Sequence, residues 1–119
     1  DSRRFSFHHG TKSVMYPRAV EQYAYHYKMR YPGQEYQTSR ELRLSPLYKI
    51  LKDKGSVYGS KNGWERPLWF APKGVEPIDQ LDFLNPGWHK YVAEEHRSVR
   101  EKVALIDQTS FGKFVMILK

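Results

Sequence analysis

Seven prolines divide this chain of 119 residues and decide where its helices can run. Proline lacks a backbone N–H and fixes φ, so it suits the first helical position and interrupts a helix interior. Pro17, Pro46 and Pro86 each stand just ahead of a segment with helically spaced apolar residues. Pro67, Pro72 and Pro77 fall so close together that they keep the chain out of helix through to about residue 85. Three helical windows separated by extended or irregular segments make α+β the expected fold class.

Within that frame, residues 1–15 show no period and read as irregular. From Tyr16-Pro17, Val20, Tyr23, Ala24, Tyr27 and Tyr31 follow on one helical face, and Pro32-Gly33 ends the helix. Residues 33–44 are a polar connector carrying Arg40 and Arg43. In SPLYKILKDKG, residues 45–55, Ser45 is placed to cap and Pro46 to open a short helix. Leu47, Ile50 and Leu51 form its stripe, Lys52 and Lys54 meet the dipole, and Gly55 supplies a left-handed stop. Val57-Tyr58 predicts a brief strand before the turn dipeptide Asn62-Gly63.

A third helix is predicted from Asn85-Pro86 to about Ala104. It has Trp88, Tyr91, Val92, Val99 and Val103 on one face and Lys90, Glu94, Arg97 and Glu101 on the other. Asp107 to Gly112 reads as a turn, and KFVMILK as a strand with Phe114, Met116 and Leu118 on one side. The chain begins at Asp1 without a Met and stops behind that apolar run, so the expectation is a piece of a longer polypeptide.

Composition narrows the function classes. At 39% hydrophobic and 28% charged, the chain has the means to form a packed core. It has no cysteine, which removes disulfides, thiolate metal sites and cysteine nucleophiles. No apolar run is long enough to span a bilayer, and no membrane contact is expected. The formal charge of +7 lies entirely in residues 1–66, but its Lys and Arg are scattered singly and read as a solvated face. No GxGxxG, P-loop, GxSxG or HExxH occurs. His89 and His96 stand two helical turns apart, too far to share a metal, and His8-His9 has no further ligands nearby. Glu94 and Glu95 beside Arg97 and Arg100 read as solvated ion pairs.

The densest aromatic stretch is NGWERPLWF, residues 62–70, with Trp64, Trp69 and Phe70 around Glu65-Arg66. A ligand platform, a stacking surface for nucleic acid and a piece of core are all compatible with it. The nucleic-acid reading lacks an RNP or GXXG signature, and the tyrosines of the first helix fall at core spacing.

The order of these segments resembles the opening of the aminomethyltransferase (glycine cleavage T-protein) fold. Pro46-Leu47-Tyr48, Gly55, Gly63-Trp64-Glu65-Arg66-Pro67, Glu95-His96 with Val99-Arg100, and Asp107 with Gly112 match its landmarks in order. Upstream, DSRRF, EQYAYHYKMRYP and TSRELRLSPLY resemble the central connecting domain of the FAD-dependent dimethylglycine and sarcosine dehydrogenases, whose C-terminal half is T-protein-like. The resemblance divides the chain into residues 1–44, central connector, and 45–119, the start of a folate-binding domain.

The resemblance implies a parent that binds FAD, oxidises an N-methyl group and passes the one-carbon unit to tetrahydrofolate. It would act in the mitochondrial matrix of a eukaryote or the cytoplasm of a bacterium. The partners implied are the rest of its own chain and a small-molecule substrate, with no nucleic acid and no membrane. By the same resemblance this segment holds no catalytic residue, no metal and no cofactor alone. One position carries over: Phe111, before the glycine of the D-x-S-x-x-G turn, corresponds to a folate-lining residue, with Thr109 in place of the serine. The alternative is that Phe111 only caps the core. Trp64, Trp69 and Phe70 are then expected as core and interdomain packing. The regulatory subunit of pyruvate dehydrogenase phosphatase resembles the same dehydrogenases and stands as a non-enzymatic alternative.

Overall fold

Asn62 and Gly63 both take positive φ, 52° and 81°. Two successive left-handed residues are what a two-residue hairpin turn requires. They join β1 (Ser56–Lys61) to β2 (Trp64–Phe70) as an antiparallel pair in register from Lys61 opposite Trp64 to Ser56 opposite Phe70. The register slips between Val57, opposite Trp69, and Tyr58, opposite Pro67, so Leu68 bulges out unpaired. A bulge beside Pro67 explains how a proline without a donor sits inside a strand. The aromatic stretch, expected only to stay out of helix, is a strand, and the brief strand at 57–58 extends over six residues.

The structure, a computed structural model, describes residues 12–117. Besides the hairpin it holds α1 (Lys12–Ala24), α2 (Tyr48–Asp53) and α3 (His89–Glu101), an α+β fold. Its buried apolar centre is Val57, Trp69 and Ala71, against which Val75, Trp88, Tyr91 and Val92 pack.

The first helix differs most from expectation. It starts at Lys12, with Pro17 inside it, and ends at Ala24, before the predicted Pro32-Gly33 stop. The Val20–Tyr23–Tyr27 stripe faces solvent, with Tyr23 76% and Tyr27 87% exposed. The opposite side binds the connector through polar groups. Arg18 Nη2 donates to the carbonyls of Thr38 (2.5 Å) and Ser39 (3.3 Å). Ser39 Oγ donates to the Val14 carbonyl (2.5 Å). The Glu21 carboxylate accepts the N–H groups of Gln37 and Thr38 and the Thr38 hydroxyl. Apolar periodicity located the wrong face because this helix docks by hydrogen bonds. The chain turns at residues 25–28, where Arg30 sits over the rings of Tyr25 and Tyr36 and donates to the Gln34 carbonyl (2.7 Å).

The second helix starts at Tyr48, two residues past Pro46, with Leu47 at its N-cap and no side-chain bond there, so Ser45 acts in the turn ahead of the helix and not as its cap. Ser45 Oγ accepts the Leu47 N–H (3.1 Å) and the Ser45 carbonyl accepts the Tyr48 N–H (2.9 Å). Gly55 ends the segment at φ 88°. The third helix starts at His89, three residues past Pro86. Of the predicted face, Trp88, Tyr91 and Val92 pack against the core of Val57, Trp69 and Ala71, but Val99 and Val103 lie 53% and 93% exposed. Residues 113–117 form no strand. They pair with no strand among the described residues, and a lone strand has nothing to take up its backbone groups. Leu118, His8 and His9 fall outside the described residues.

Gly55 is the tightest point of this arrangement. A Cβ there would stand 2.5 Å from the Ala71 carbonyl oxygen, and the positive φ adds strain of its own. Gly55→Ala is expected to destabilise the protein by about 1–3 kcal/mol, read as a lowered urea midpoint. Gly74→Ala, also at positive φ but with nothing near its added Cβ, should cost less.

Candidate functional site

Three groups of side chains surround the hairpin. The first is the aromatic centre. The Trp69 ring is 3% exposed, stacks on Tyr91 at 5.1 Å and 4°, and donates from Nε1 to Asp79 Oδ1 (2.7 Å). The backbone next to it is held by Glu95, whose Oε1 accepts the Phe70 N–H (2.8 Å). Glu95 is therefore an anchor of α3 on β2, correcting its reading as a solvated ion-pair partner. Trp69 is core, while Trp64 and Phe70 are half-buried.

The second group is the connector seam. Glu65, on β2, is 3% exposed, yet it is a carboxylate. Its Oε1 accepts Arg40 Nε (2.8 Å) and the Glu41 N–H (2.8 Å), and its Oε2 accepts Arg40 Nη2 (2.5 Å). Arg40 also donates to the carbonyls of Tyr36 (3.1 Å) and Tyr58 (2.9 Å). The Glu65 carboxylate beside it holds the guanidinium above its ordinary value. At the mouth of this seam Tyr48, Lys52 and Glu41 interlock. The Tyr48 hydroxyl donates to Glu41 (2.5 Å), while Lys52 Nζ lies 3.0 Å from both. A Tyr and a Lys four residues apart on a helix can form a phenolate base, but here the shifts run the other way. Burial, then the Glu41 carboxylate, raises the Tyr48 hydroxyl, and Tyr48 with Glu41 raises Lys52. Both keep their protons at neutral pH, so the trio ties α2 to the connector and offers no base.

The third group is the Asp107–Gly112 turn, which holds Phe111. Asp107 Oδ1 accepts the Thr109 N–H (2.9 Å) and hydroxyl (2.6 Å). Lys113 Nζ donates to the carbonyls of Gln108, Thr109 and Phe111 at 2.8–2.9 Å. Phe111 is 48% exposed, and the Arg66 guanidinium lies 4.6 Å over its ring. Arg66 stands in the wall of an open groove of about 680 Å³ between α2, β2, α3 and residues 104–107; Phe111 lies outside that wall. No local pattern signals the Arg66–Phe111 contact, which joins residues 45 positions apart. Among the described residues no three His, Asp or Glu are placed to hold a metal, and no helix is long and apolar enough to cross a membrane.

Comparison with known proteins adds two family matches along the chain. Residues 1–45 match the FAD dependent oxidoreductase central domain, and residues 47–117 match the GCVT N-terminal domain. The chain belongs to the family that joins these two domains. Its relatives include 4-methylaminobutanoate oxidase (formaldehyde-forming) of Paenarthrobacter nicotinovorans, 35% identical over 96% of this chain and 14% of that protein. The mitochondrial pyruvate dehydrogenase phosphatase regulatory subunit of Mus musculus is 34% identical over 96% of this chain and 13% of its own. Human mitochondrial sarcosine dehydrogenase is 30% identical over 98% of this chain and 16% of its own. The chain thus spans a small part of the length of each relative. It is related to FAD-dependent oxidoreductases and carries a GCVT folate-type domain at its C-terminal side.

Two predictions follow from this geometry. Trp69→Ala should cost about 3–5 kcal/mol by leaving a cavity against Tyr91. Trp69→Phe keeps most of the packing but strands the Asp79 carboxylate, for about 1–3 kcal/mol; urea denaturation of both separates packing from the hydrogen bond. The second concerns pH. The Ser45 and Thr109 hydroxyls hold the Asp107 carboxyl below 3.8. A folded pKa below the unfolded one gives stability that is present above 3.8 and lost as pH falls below it. Asp107→Asn should therefore lower the melting temperature at pH 6 and have little effect at pH 2.

Proposed function

We propose that this chain is the joint of a flavin-dependent N-methyl-amino-acid dehydrogenase, most specifically one acting on dimethylglycine or sarcosine. Residues 1–44 close the oxidoreductase half and residues 45–119 open the half that takes the one-carbon unit on tetrahydrofolate. The observation that carries the reading is the direct succession of the two domain matches along one chain, with one residue between them. The chemistry FAD and folate would supply is two-electron oxidation of the N–CH3 group to an iminium, then its capture as 5,10-methylenetetrahydrofolate with release of the demethylated amine. The protein works in the mitochondrial matrix in a eukaryote, in keeping with relatives named as mitochondrial, and in the cytoplasm in a bacterium.

The residues of this chain contribute around that chemistry. Phe111 offers a half-exposed ring for a flat heterocycle, held on a turn whose carbonyls Lys113 fixes. The Arg66 guanidinium over it adds a cation suited to the carboxylates of a folate tail. Arg18, Arg30 and Arg40 donate into this chain's own backbone, which supports a structural role for much of the basic half over a nucleic-acid surface. A second reading rests on the 34% identity to the phosphatase regulatory subunit: a binding protein with the same joint and no oxidase activity.

The test uses the full-length protein with sarcosine or dimethylglycine, a dye acceptor and tetrahydrofolate. Dye reduction with methylenetetrahydrofolate formation is expected. Absence of dye reduction with flavin bound overturns the enzymatic reading in favour of the regulatory one. Phe111→Ala is expected to weaken tetrahydrofolate binding by roughly tenfold, the loss of one ring-stacking contact, with amine oxidation unchanged.

A further inference from the structure

The polar connector between the two halves behaves as a strap. Glu35 Oε2 accepts the Ser60 N–H (3.0 Å) at the outer edge of β1. Arg40 crosses to Glu65 and to the Tyr58 carbonyl. Arg43 then pairs with the outer edge of β2, its N–H donating to the Gly63 carbonyl and its carbonyl accepting the Glu65 N–H, both at 2.9 Å. The hairpin is thus gripped on both edges and one face by nine consecutive residues.

The backbone on either side of Arg40 shows the grip is imposed. Ser39 and Glu41 adopt φ of 51° and 59°, left-handed values unfavourable for residues with a Cβ. Such conformations persist only where the surroundings over-determine them, and they cluster where geometry has a task. Both are held by bonds to other segments, Ser39 to Val14 and Arg18 of α1, and Glu41 to Glu65, Tyr48 and Lys52. Their effect is to aim Arg40 at a carboxylate buried in the other half.

We infer that Arg40 and Glu35, acting through Glu65 and Ser60, are positioning residues that hold the folate-side hairpin rigidly to the oxidoreductase half, so that the one-carbon unit is delivered and not released. The inference rests on the function proposed above. Neither residue touches a reacting atom. Their removal leaves amine oxidation in place and changes where its product goes.

The experiment compares full-length wild type with Arg40→Met, Arg40→Lys and Glu35→Ala. Amine oxidation by dye reduction should stay within about twofold. The ratio of free formaldehyde to methylenetetrahydrofolate should rise at least about fivefold in Arg40→Met, the low end of ordinary coupling between sites. Arg40→Lys, which keeps the charge but loses the two-pronged bond, should fall between. An unchanged ratio in Arg40→Met overturns the inference. If Arg40→Met does not fold, Glu35→Ala carries the test alone, because it leaves the Arg40–Glu65 pair intact, and an unchanged ratio there overturns it equally. Calorimetry supplies a readout independent of the reaction. Wild type should melt in one transition across the joint, and the variants in two. Should wild type oxidise neither sarcosine nor dimethylglycine, the function reading fails while the melting still decides the strap: splitting in the variants supports it, a single transition in all overturns it.

Discussion

Everything around the hairpin depends on a carboxylate that has no business being buried unless it is fully bonded. Burying an unpaired charge costs several kcal/mol even after relaxation, and only excellent geometry offsets it. Glu65 meets that condition with three donors, and Arg40 uses Nε, Nη1 and Nη2 on four acceptors. Glu65 takes two of its three bonds from Arg40, and Arg40 meets it only where the connector crosses the hairpin. The pair is therefore a condition on the path of the chain. It converts a run of polar residues into fixed structure.

On the far side of the hairpin the same logic is met with apolar contacts. Val57, Trp69 and Ala71 form the buried centre, and Tyr91 lies parallel to Trp69. Two carboxylates tune this packing without entering it. Asp79 takes the indole N–H and Glu95 takes the Phe70 N–H. Asp79 satisfies the one polar group of a buried ring, and Glu95 a backbone donor at the edge of β2. The aromatic crowding of NGWERPLWF thus resolves into roles set by strand position: Glu65 to the connector, Arg66 to Phe111, Trp69 to the core.

Where the sequence was legible, the signal was local. Asn62-Gly63 and Gly55 named their own conformations, because only residues that tolerate positive φ fit there. Ser45 was legible for a different reason, its side-chain oxygen, which accepts the Leu47 N–H in the turn that leads into α2. The family landmarks were legible because they keep their spacing. The docked face of α1 was not, since periodicity weighs apolar side chains and α1 is held by Arg18, Glu21 and a backbone carbonyl at Val14. Val99, Val103 and the residues 114–117 show the converse. Their apolar pattern is real, but a pattern says which face prefers cover and nothing about what supplies it. Glu95 was misread because a charge on a helix surface looks solvated until the strand it caps is known. The Arg66–Phe111 contact joins segments that no local rule connects.

The connector carries this argument to its end. By composition residues 33–45 read as a linker: one glycine, two serines, a threonine and six charged or amide side chains, against only Tyr36, Leu42 and Leu44. A linker of that kind stays mobile because ordering each residue costs about 1–2 kcal/mol of backbone entropy. Here the polar side chains are what offset that cost. Glu35, Tyr36, Thr38, Ser39, Arg40, Glu41 and Arg43 each make at least one bond to α1, α2 or the hairpin, so the segment is ordered by its polarity. A joint built this way has a property that an apolar one lacks. Apolar surfaces slide at little cost, since contact energy is nearly independent of direction, whereas a two-pronged guanidinium–carboxylate bond is lost within an ångström or so of displacement. Two halves that must hand a small reactive unit across a fixed distance need the second kind of contact, and Arg40–Glu65 supplies it.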